Sequence, residues 1–161
     1  MDATGINVIP NDGKTHADRI RELEERLLPT SMPATECPLI HLFSPGIYMR
    51  GILMPAGHYI LGHEHTQQHY NFVLTGKALV VVDGVEDIVQ APCIFESKPG
   101  VRKLLIILED MRWVTVHPNP TDERDIGKLE ASFVRKSDAW LKYHQEIDNQ
   151  KPQITEEAAT P

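Results

Sequence analysis

The chain contains 161 residues, of which 41% are hydrophobic and 24% are charged, and its formal net charge is -7. This length suits one domain with a substantial core and is too short for two ordinary domains and a linker. The acidic balance argues against a partner such as nucleic acid or anionic lipid, because both require a basic surface. No apolar run approaches the roughly 20 residues that cross a bilayer, so we expect no membrane span.

The cysteine content and the start of the chain indicate a location. Cys37 and Cys93 do not form a CxxC pair, and the first 30 residues contain no apolar core of a signal peptide. Disulfide frameworks belong to oxidising compartments. We therefore expect a cytoplasmic protein without a disulfide framework.

Residues 1–36 are predicted to form an N-terminal extension with one amphipathic helix. Thr15 is a suitable N-cap, and Asp18 can complete a capping box three residues later. Apolar residues then recur at three- and four-residue intervals, which places them on one helical face, and Pro29 is predicted to end the helix. These apolar residues are Ala17, Ile20, Leu23, Leu27 and Leu28. A helix packed on the domain is the simpler interpretation, and a partner-binding helix is the alternative.

Residues 37–120 are predicted to form short β-strands. Segments rich in Val, Ile, Leu and aromatic residues alternate with turn signals at the spacing typical of a sandwich or barrel. The predicted strands are 39–43, 47–54, 59–62, 71–74, 77–82, 94–96, 104–108 and 113–116. Asp83-Gly84 is a strong hairpin signal, because both central residues of a type I′ turn need positive φ. The core is therefore predicted to be all-β.

Residues 121–149 are predicted to form a C-terminal helical arm. Thr121 or Asp122 can cap a first helix, and Ser137 can cap a second. The apolar side of the first helix would contain Ile126, Leu129, Phe133 and Val134, and that of the second Trp140, Leu141, His144 and Ile147. Residues 150–161 are polar and are predicted to be a flexible tail.

Four of the eight histidines fall between residues 58 and 69. His63 and His65 are two residues apart, so on a strand they share one face, and His69 can approach them from the next strand after a short turn. Neutral imidazole is the commonest protein ligand for metals, and a divalent metal needs several such ligands at one point. The spacing therefore predicts a centre for a divalent transition metal.

The same segment resembles the first sequence motif of the cupin superfamily. That motif places His-x-His five residues after a glycine, a Glu three or four residues later, and a second glycine after six more. Here Gly57, His63-Glu64-His65, His69 and Gly76 have this spacing, with His69 in place of the usual Glu. The second cupin motif, Pro-x-Gly-x-x-His, is matched only in part, since alignment on Gly100 puts Lys103 at the histidine position.

The resemblance implies a double-stranded β-helix, or jelly-roll, barrel over residues 37–120. It implies metal ligands at His63, His65 and His69, with Lys103 where the fourth ligand would stand. Three neutral ligands leave the full charge of a divalent metal, which favours anionic or chelating ligands. Thiol dioxygenases are cupins with a three-histidine iron centre, but imidazole also suits other metals, so Fe, Mn, Ni and Zn remain open. A cupin scaffold without metal is the alternative.

Further side chains are candidates for contact with a ligand. Lys103 could pair with an anionic group, and Arg50 could do so if its face of the strand points inward. Asn71 shares the parity of His69 and is expected to point inward. His117 could line the mouth of the barrel or pack at the end of a strand, and His58 is expected in a turn.

Three functions remain open at this stage. The first is a metal-dependent enzyme, of dioxygenase, lyase or isomerase type, acting on a small anionic or thiol-bearing substrate. The second is a binding module without catalysis that uses the same pocket. The third is a structural or interaction protein that uses its helical arms. In each case we expect a homodimer, because amphipathic helices need a surface to cover.

Overall fold

The computed structural model describes residues 12–28 and 37–150. The helices are α1 (His16–Leu27), α2 (Ile126–Phe133) and α3 (Asp138–Gln150). The strands are β1 (Leu39–Ser44), β2 (Gly46–Met54), β3 (Tyr59–Leu61), β4 (Glu64–His65), β5 (His69–Val82), β6 (Val85–Gln90), β7 (Cys93–Ser97), β8 (Leu104–Asn119) and β9 (Val134–Arg135). The predicted all-β core between an N-terminal helix and C-terminal helices is confirmed.

Most strands belong to one antiparallel sheet in the order β1-β2-β8-β5-β6, in which β3 pairs with β8 and β7 with β5. The long strands β5 and β8 each serve two halves of this sheet. The first part of β5 pairs with β7 and its second part with β6, while β8 pairs first with β3 and then with β2. Side chains from both halves line one internal cavity. The sheet therefore folds over onto itself, as in a jelly roll.

A glycine permits the bend at which β5 changes from one half to the other. Gly76 has φ of 88°, and a Cβ at this position would lie 2.4 Å from the carbonyl oxygen of Asp110. The pairing register of β5 with β8 shifts on both sides of Gly76. Odd-numbered residues such as Val73 are therefore buried before the bend, and even-numbered residues such as Ala78 are buried after it. Any other residue would combine an unfavourable φ with a backbone clash.

The main hydrophobic core lies at the bend, between the two halves of the sheet. Its buried members are Met54, Val73, Ala78, Val80, Leu105, Ile107, Met111 and Trp113. A second cluster consists of Tyr48, Leu129 and Phe133, and it attaches α2 to the sheet. This second cluster lies against buried polar side chains, including His117, at the end of the jelly roll away from the bend.

The helices agree with the sequence in part. Thr15 and Asp18 form the predicted capping box, and the backbone N–H of Trp140 donates to the Ser137 hydroxyl at the predicted cap of α3. The predicted cap of α2 was wrong. Asp125 accepts from the backbone N–H of Lys128, whereas Asp122 lies in a turn with φ of 52°.

The two cysteines of the chain, Cys37 and Cys93, are free thiols. Within residues 12–28 and 37–150, no helix has the length and apolar character needed to cross a membrane. The predicted helix end at Pro29 lies outside the described residues, and so does the predicted tail at 150–161 except for Gln150, which is the last residue of α3. The domain boundaries stay a prediction.

Candidate metal centre

Three buried histidines from three different strands meet at the end of the jelly roll opposite the bend. His65 comes from β4, His69 from the start of β5 and His117 from the end of β8. The ring centroids of His65 and His69 are 4.3 Å apart, and each lies 5.1 Å or less from that of His117. One nitrogen from each ring lies within 4.8 Å of the other two. This group therefore presents converging imidazole donors.

The C-terminal arm covers this group. β9 pairs with β4, so that Val134 lies opposite His65, and the Phe133 ring stacks on His117 with a centroid distance of 4.1 Å. Phe133 also contacts Tyr48, whose ring is fully buried beside His117. Water is thereby excluded from one side of the histidines.

Burial keeps the imidazoles neutral. It lowers the pKa of His65 to about 2 and that of His117 to about 3, and neighbouring histidines and cations add to the shift. Burial also lowers the pKa of His69, although a hydrogen bond with Gln67 opposes this effect. At neutral pH each ring therefore carries a lone pair, which is the form that binds a metal.

Several of these nitrogens have no protein partner. Nδ1 of His65 and both ring nitrogens of His117 are buried without a hydrogen bond to any described residue. Leaving such atoms unsatisfied costs free energy, and a bound cation would remove that cost for one nitrogen of a ring. His69 differs, because its Nδ1 lies 3.2 Å from the carbonyl oxygen of Gln67. A carbonyl only accepts, so Nδ1 carries the hydrogen and Nε2 is left with its lone pair. The donor set fits a transition metal.

The predicted ligand set is brought together only in part. His65 and His69 are in the buried group, whereas His63 lies on the wall of the adjoining cavity with its ring edge against Trp140 at 5.2 Å. Burial lowers the pKa of His63 to about 4. His58 lies in a turn, where its Nδ1 contacts the carbonyl oxygens of Pro55 and Ala56.

The structure brings His117, rather than His63, close to His65 and His69. The parity of β8 places His117 on the same face as Trp113 and Thr115, which would have been a usable signal. The parity of His117 identifies it as a member of the buried group only when β8 is known to lie between β2 and β5, with His117 opposite Tyr48. That pairing joins residues far apart in sequence.

A cavity of about 770 Å³ adjoins the histidines. Its charged wall residues are Arg50, Glu130, Lys103 and Lys136. Arg50 and Glu130 form an ion pair at 3.2 Å, and Lys136 lies over the Trp140 ring at 4.5 Å. The face of β2 that contains Arg50 therefore points inward, which the sequence had left open.

Lys103 and Lys136 are the wall cations without an ion pair to a described carboxylate, and of these two Lys136 lies over the Trp140 ring. Lys103 is the one whose charge acts on the buried histidines. Burial lowers its pKa to about 8. Its charge contributes to the lowered pKa of both His65 and His69. An ammonium group beside neutral imidazoles, without a counter-ion among the described residues, suits a bound anion.

Asn71 points inward as predicted, but its amide is already engaged. The amide nitrogen donates to the Phe95 carbonyl and to the Ser97 hydroxyl, and the amide oxygen accepts from the indole N–H of Trp113. Asn71 therefore fixes Trp113 in the cavity wall.

Comparison with known proteins gives structural similarity only. No family model matches the chain, and no curated protein matches it. Similar solved structures include KdgF from Halomonas sp., with 12% identity and a TM-score of 0.47 over 59% of this chain and 88% of that one. An RmlC-like cupin from Shewanella frigidimarina has 18% identity and a TM-score of 0.44 over 59% and 91%. An RmlC-like cupin family protein from Methanocaldococcus jannaschii has 11% identity and a TM-score of 0.44 over 56% and 89%.

Those similarities are too weak to support a function, so strand order and sequence motif decide the fold. The sheet folds over at β5 and β8, and the residues with first-motif spacing run from the turn before β3 to Gly76 within β5. The chain has a cupin fold. The segment with first-motif spacing supplies His65 and His69 to the buried group, and β8 supplies His117.

Proposed function

We propose that this cupin is a metal-dependent enzyme that acts on a small anionic substrate. The observation that carries the proposal is the buried group of His65, His69 and His117, whose ring nitrogens converge; three of these nitrogens are buried without a hydrogen bond to a described residue. Buried polar atoms without partners are rare in folded proteins, and binding of an ion is one way to satisfy them. Fe, Ni, Cu and Zn all suit imidazole donors.

The donor set supports a preference for anions. Three neutral imidazoles would leave the charge of a divalent metal uncancelled, and when bound the metal would supply Lewis acidity to a coordinated oxygen or sulfur. Lys103 would pair with an anionic group of the substrate. Arg50, which already pairs with Glu130, would also pair with a second anionic group of the substrate.

Lys103 also suits proton transfer. A general acid or base works best when its pKa lies near the working pH, and burial brings the pKa of Lys103 to about 8. The ammonium form would hold the anion, and the amine form would accept a proton from it. This pair of states supports catalysis of a lyase, isomerase or dioxygenase type.

A binding module without catalysis is the second candidate. Glu130 is the carboxylate among the described cavity residues, and its ion pair with Arg50 removes it from the role of a free base. The interaction-protein hypothesis receives less support, because described arm residues such as Phe133 and Trp140 are used to build the site. The homodimer and the cytoplasmic location stay predictions.

Metal analysis of protein produced without a His tag tests the centre. We expect near-stoichiometric metal in the wild type and strong loss in His65→Ala, His69→Ala and His117→Ala, because each substitution removes a donor. His58→Ala is the matched control and should retain the metal.

His63→Ala decides between the two possible ligand sets. Retained metal supports His117 as the third donor, whereas loss of metal in His63→Ala but not in His117→Ala would restore the set expected from sequence. Absence of metal in the wild type, even after addition of Fe, Mn, Ni or Zn, would overturn the metal centre.

Turnover separates the enzyme from the binding module. Candidate acids are incubated with the metal-loaded protein, and their consumption is followed by NMR. Consumption that stops in His69→Ala supports the enzyme, whereas tight binding without consumption supports the binding module.

A further inference from the structure

The wall of the cavity changes from polar to apolar along the inner face of β2. Arg50, Ile52 and Met54 follow one another at two-residue intervals and all line the cavity. Trp113 lies opposite Ile52 on β8 and continues the apolar surface. An extended strand rises roughly 3.4 Å per residue, so the Cα atoms of Arg50 and Met54 are separated by at most roughly 14 Å.

The facing half of the sheet shows the same order. Lys103 lies immediately before β8, Leu105 follows it inside the strand, and Ile60 of β3 lies opposite Leu105. All three line the cavity. Both walls therefore have their charge at the histidine end and their hydrocarbon at the bend.

The apolar end of the cavity offers water few hydrogen-bonding partners. Met54, Leu105 and Trp113 are members of the main core and at most 7% exposed, yet they line the cavity. The indole N–H of Trp113, the polar group of this trio, is already bonded to Asn71. Cavities lined by hydrocarbon stay dry, and they bind apolar molecules. A small hydrophilic acid would leave this end empty.

We propose that the cavity takes an amphipathic carboxylic acid of medium length. Its carboxylate lies at the polar end between the histidines, Lys103 and Arg50, and its alkyl or aryl body extends past Ile52 towards Met54. This inference rests on the proposed anion site and adds a substrate class to it. The size agrees, because cavities of several hundred Å³ enclose ligands much larger than acetate.

A series of acids tests the length of the ligand. Acetate, butanoate, hexanoate and octanoate are titrated into the full-length protein of measured metal content, and binding is followed by calorimetry and tryptophan fluorescence. The chain contains two tryptophans, Trp113 and Trp140, and both line the cavity. Each buried methylene is worth about 0.8 kcal/mol, so affinity should rise about fourfold per methylene until the chain reaches the bend.

Octanol tests the head group at constant chain length. We expect it to bind more weakly than octanoate by at least tenfold, because it cannot pair with Lys103. Equal affinities of octanol and octanoate would overturn the assignment of the head group.

A substitution that fills the apolar end tests its location. Ile52→Phe should weaken octanoate binding by at least tenfold while acetate binding stays unchanged, and Ile88→Phe on the exposed face of β6 is the matched control. Thermal melts check that both variants fold. If Ile52→Phe does not fold, the acid series on the wild-type protein decides whether the apolar end binds the alkyl chain.

The possible failures are distinguishable. Equal binding of all acids overturns the amphipathic ligand and leaves the anion site standing. Absence of binding by any acid to metal-loaded protein overturns both.

Discussion

The charge of Lys103 is expected to change within the pH range in which anion binding can be measured. Burial alone accounts for the lowering of its pKa to about 8, and no described carboxylate restores it. The side chain is therefore mainly an ammonium group at neutral pH and mainly an amine one pH unit above its pKa. A bound anion would favour the charged form.

Anion binding should consequently weaken as pH rises. Octanoate affinity is expected to fall by up to about tenfold per pH unit above the pKa of Lys103, because the amine no longer attracts the carboxylate. Calorimetry between pH 6.5 and 9.5 measures this slope. Lys103→Arg is the matched control, since an arginine stays charged over this range and should bind without the slope. A wild-type affinity independent of pH would show that Lys103 does not face the anion.

Single residues show where sequence reasoning succeeds and where it stops. His65 and His69 are close in the chain, so their spacing sufficed to predict that they meet. His117 and Glu130 reach the site only through the pairing of β8 with β2 and the docking of α2. Such contacts depend on the folded sheet, and periodicity along one segment does not contain them.

At the scale of elements, α1 is attached to the jelly roll by a buried ion pair. The guanidinium of Arg102 donates to both carboxylate oxygens of Glu24, and it also donates to the Gly62 carbonyl next to His63. Burial would raise the pKa of Glu24, but hydrogen bonds from Arg102 and Ser137 lower it below its usual value. The pair therefore joins α1, the loop before β4 and the start of α3.

Removal of Glu24 should destabilise the fold strongly. The Glu24 side chain is 5% exposed and that of Arg102 is 15% exposed, so Glu24→Ala leaves a buried guanidinium without its counter-ion. The expected loss is about 3–5 kcal/mol in the free energy of unfolding, measured by urea denaturation.

Glu22→Ala on the same helix is the matched control for Glu24→Ala. Its ion pair with Lys14 is exposed, so the cost should stay below about 1 kcal/mol. Equal losses in the two variants would contradict an anchoring role for Glu24.

The elements also explain which strands the sequence could identify. Segments 71–74 and 77–82 were predicted separately but form the single strand β5, because the bend at Gly76 interrupts the alternation without ending the pairing. β6 was not predicted, since Val85–Gln90 contains acidic residues and is mostly exposed. Its pairing with β5 stabilises it instead.

At the scale of the whole molecule, the arm and the metal centre depend on each other. β9 pairs with the two-residue strand that contains His65, and Gln67 donates to the Ser132 carbonyl. The backbone N–H of Thr66 donates to the carbonyl oxygen of Phe133, whose ring covers His117. A metal that fixed the histidines would therefore also stabilise α2 and β9.

Metal should accordingly raise the melting temperature of the entire fold. A ligand that binds the folded state alone, at a free concentration of about 100 times its Kd, stabilises by about 2.7 kcal/mol, which corresponds to a rise of about 5–10 °C for a chain of this size. Calorimetric scans of metal-free and metal-loaded protein measure the rise, and a chelator should reverse it. His117→Ala should show no rise, whereas His58→Ala should behave as the wild type. An equal rise in melting temperature in His117→Ala would place the metal elsewhere. His117→Ala removes one of the three donors, so an ion bound at this centre could no longer stabilise the folded state to the same extent.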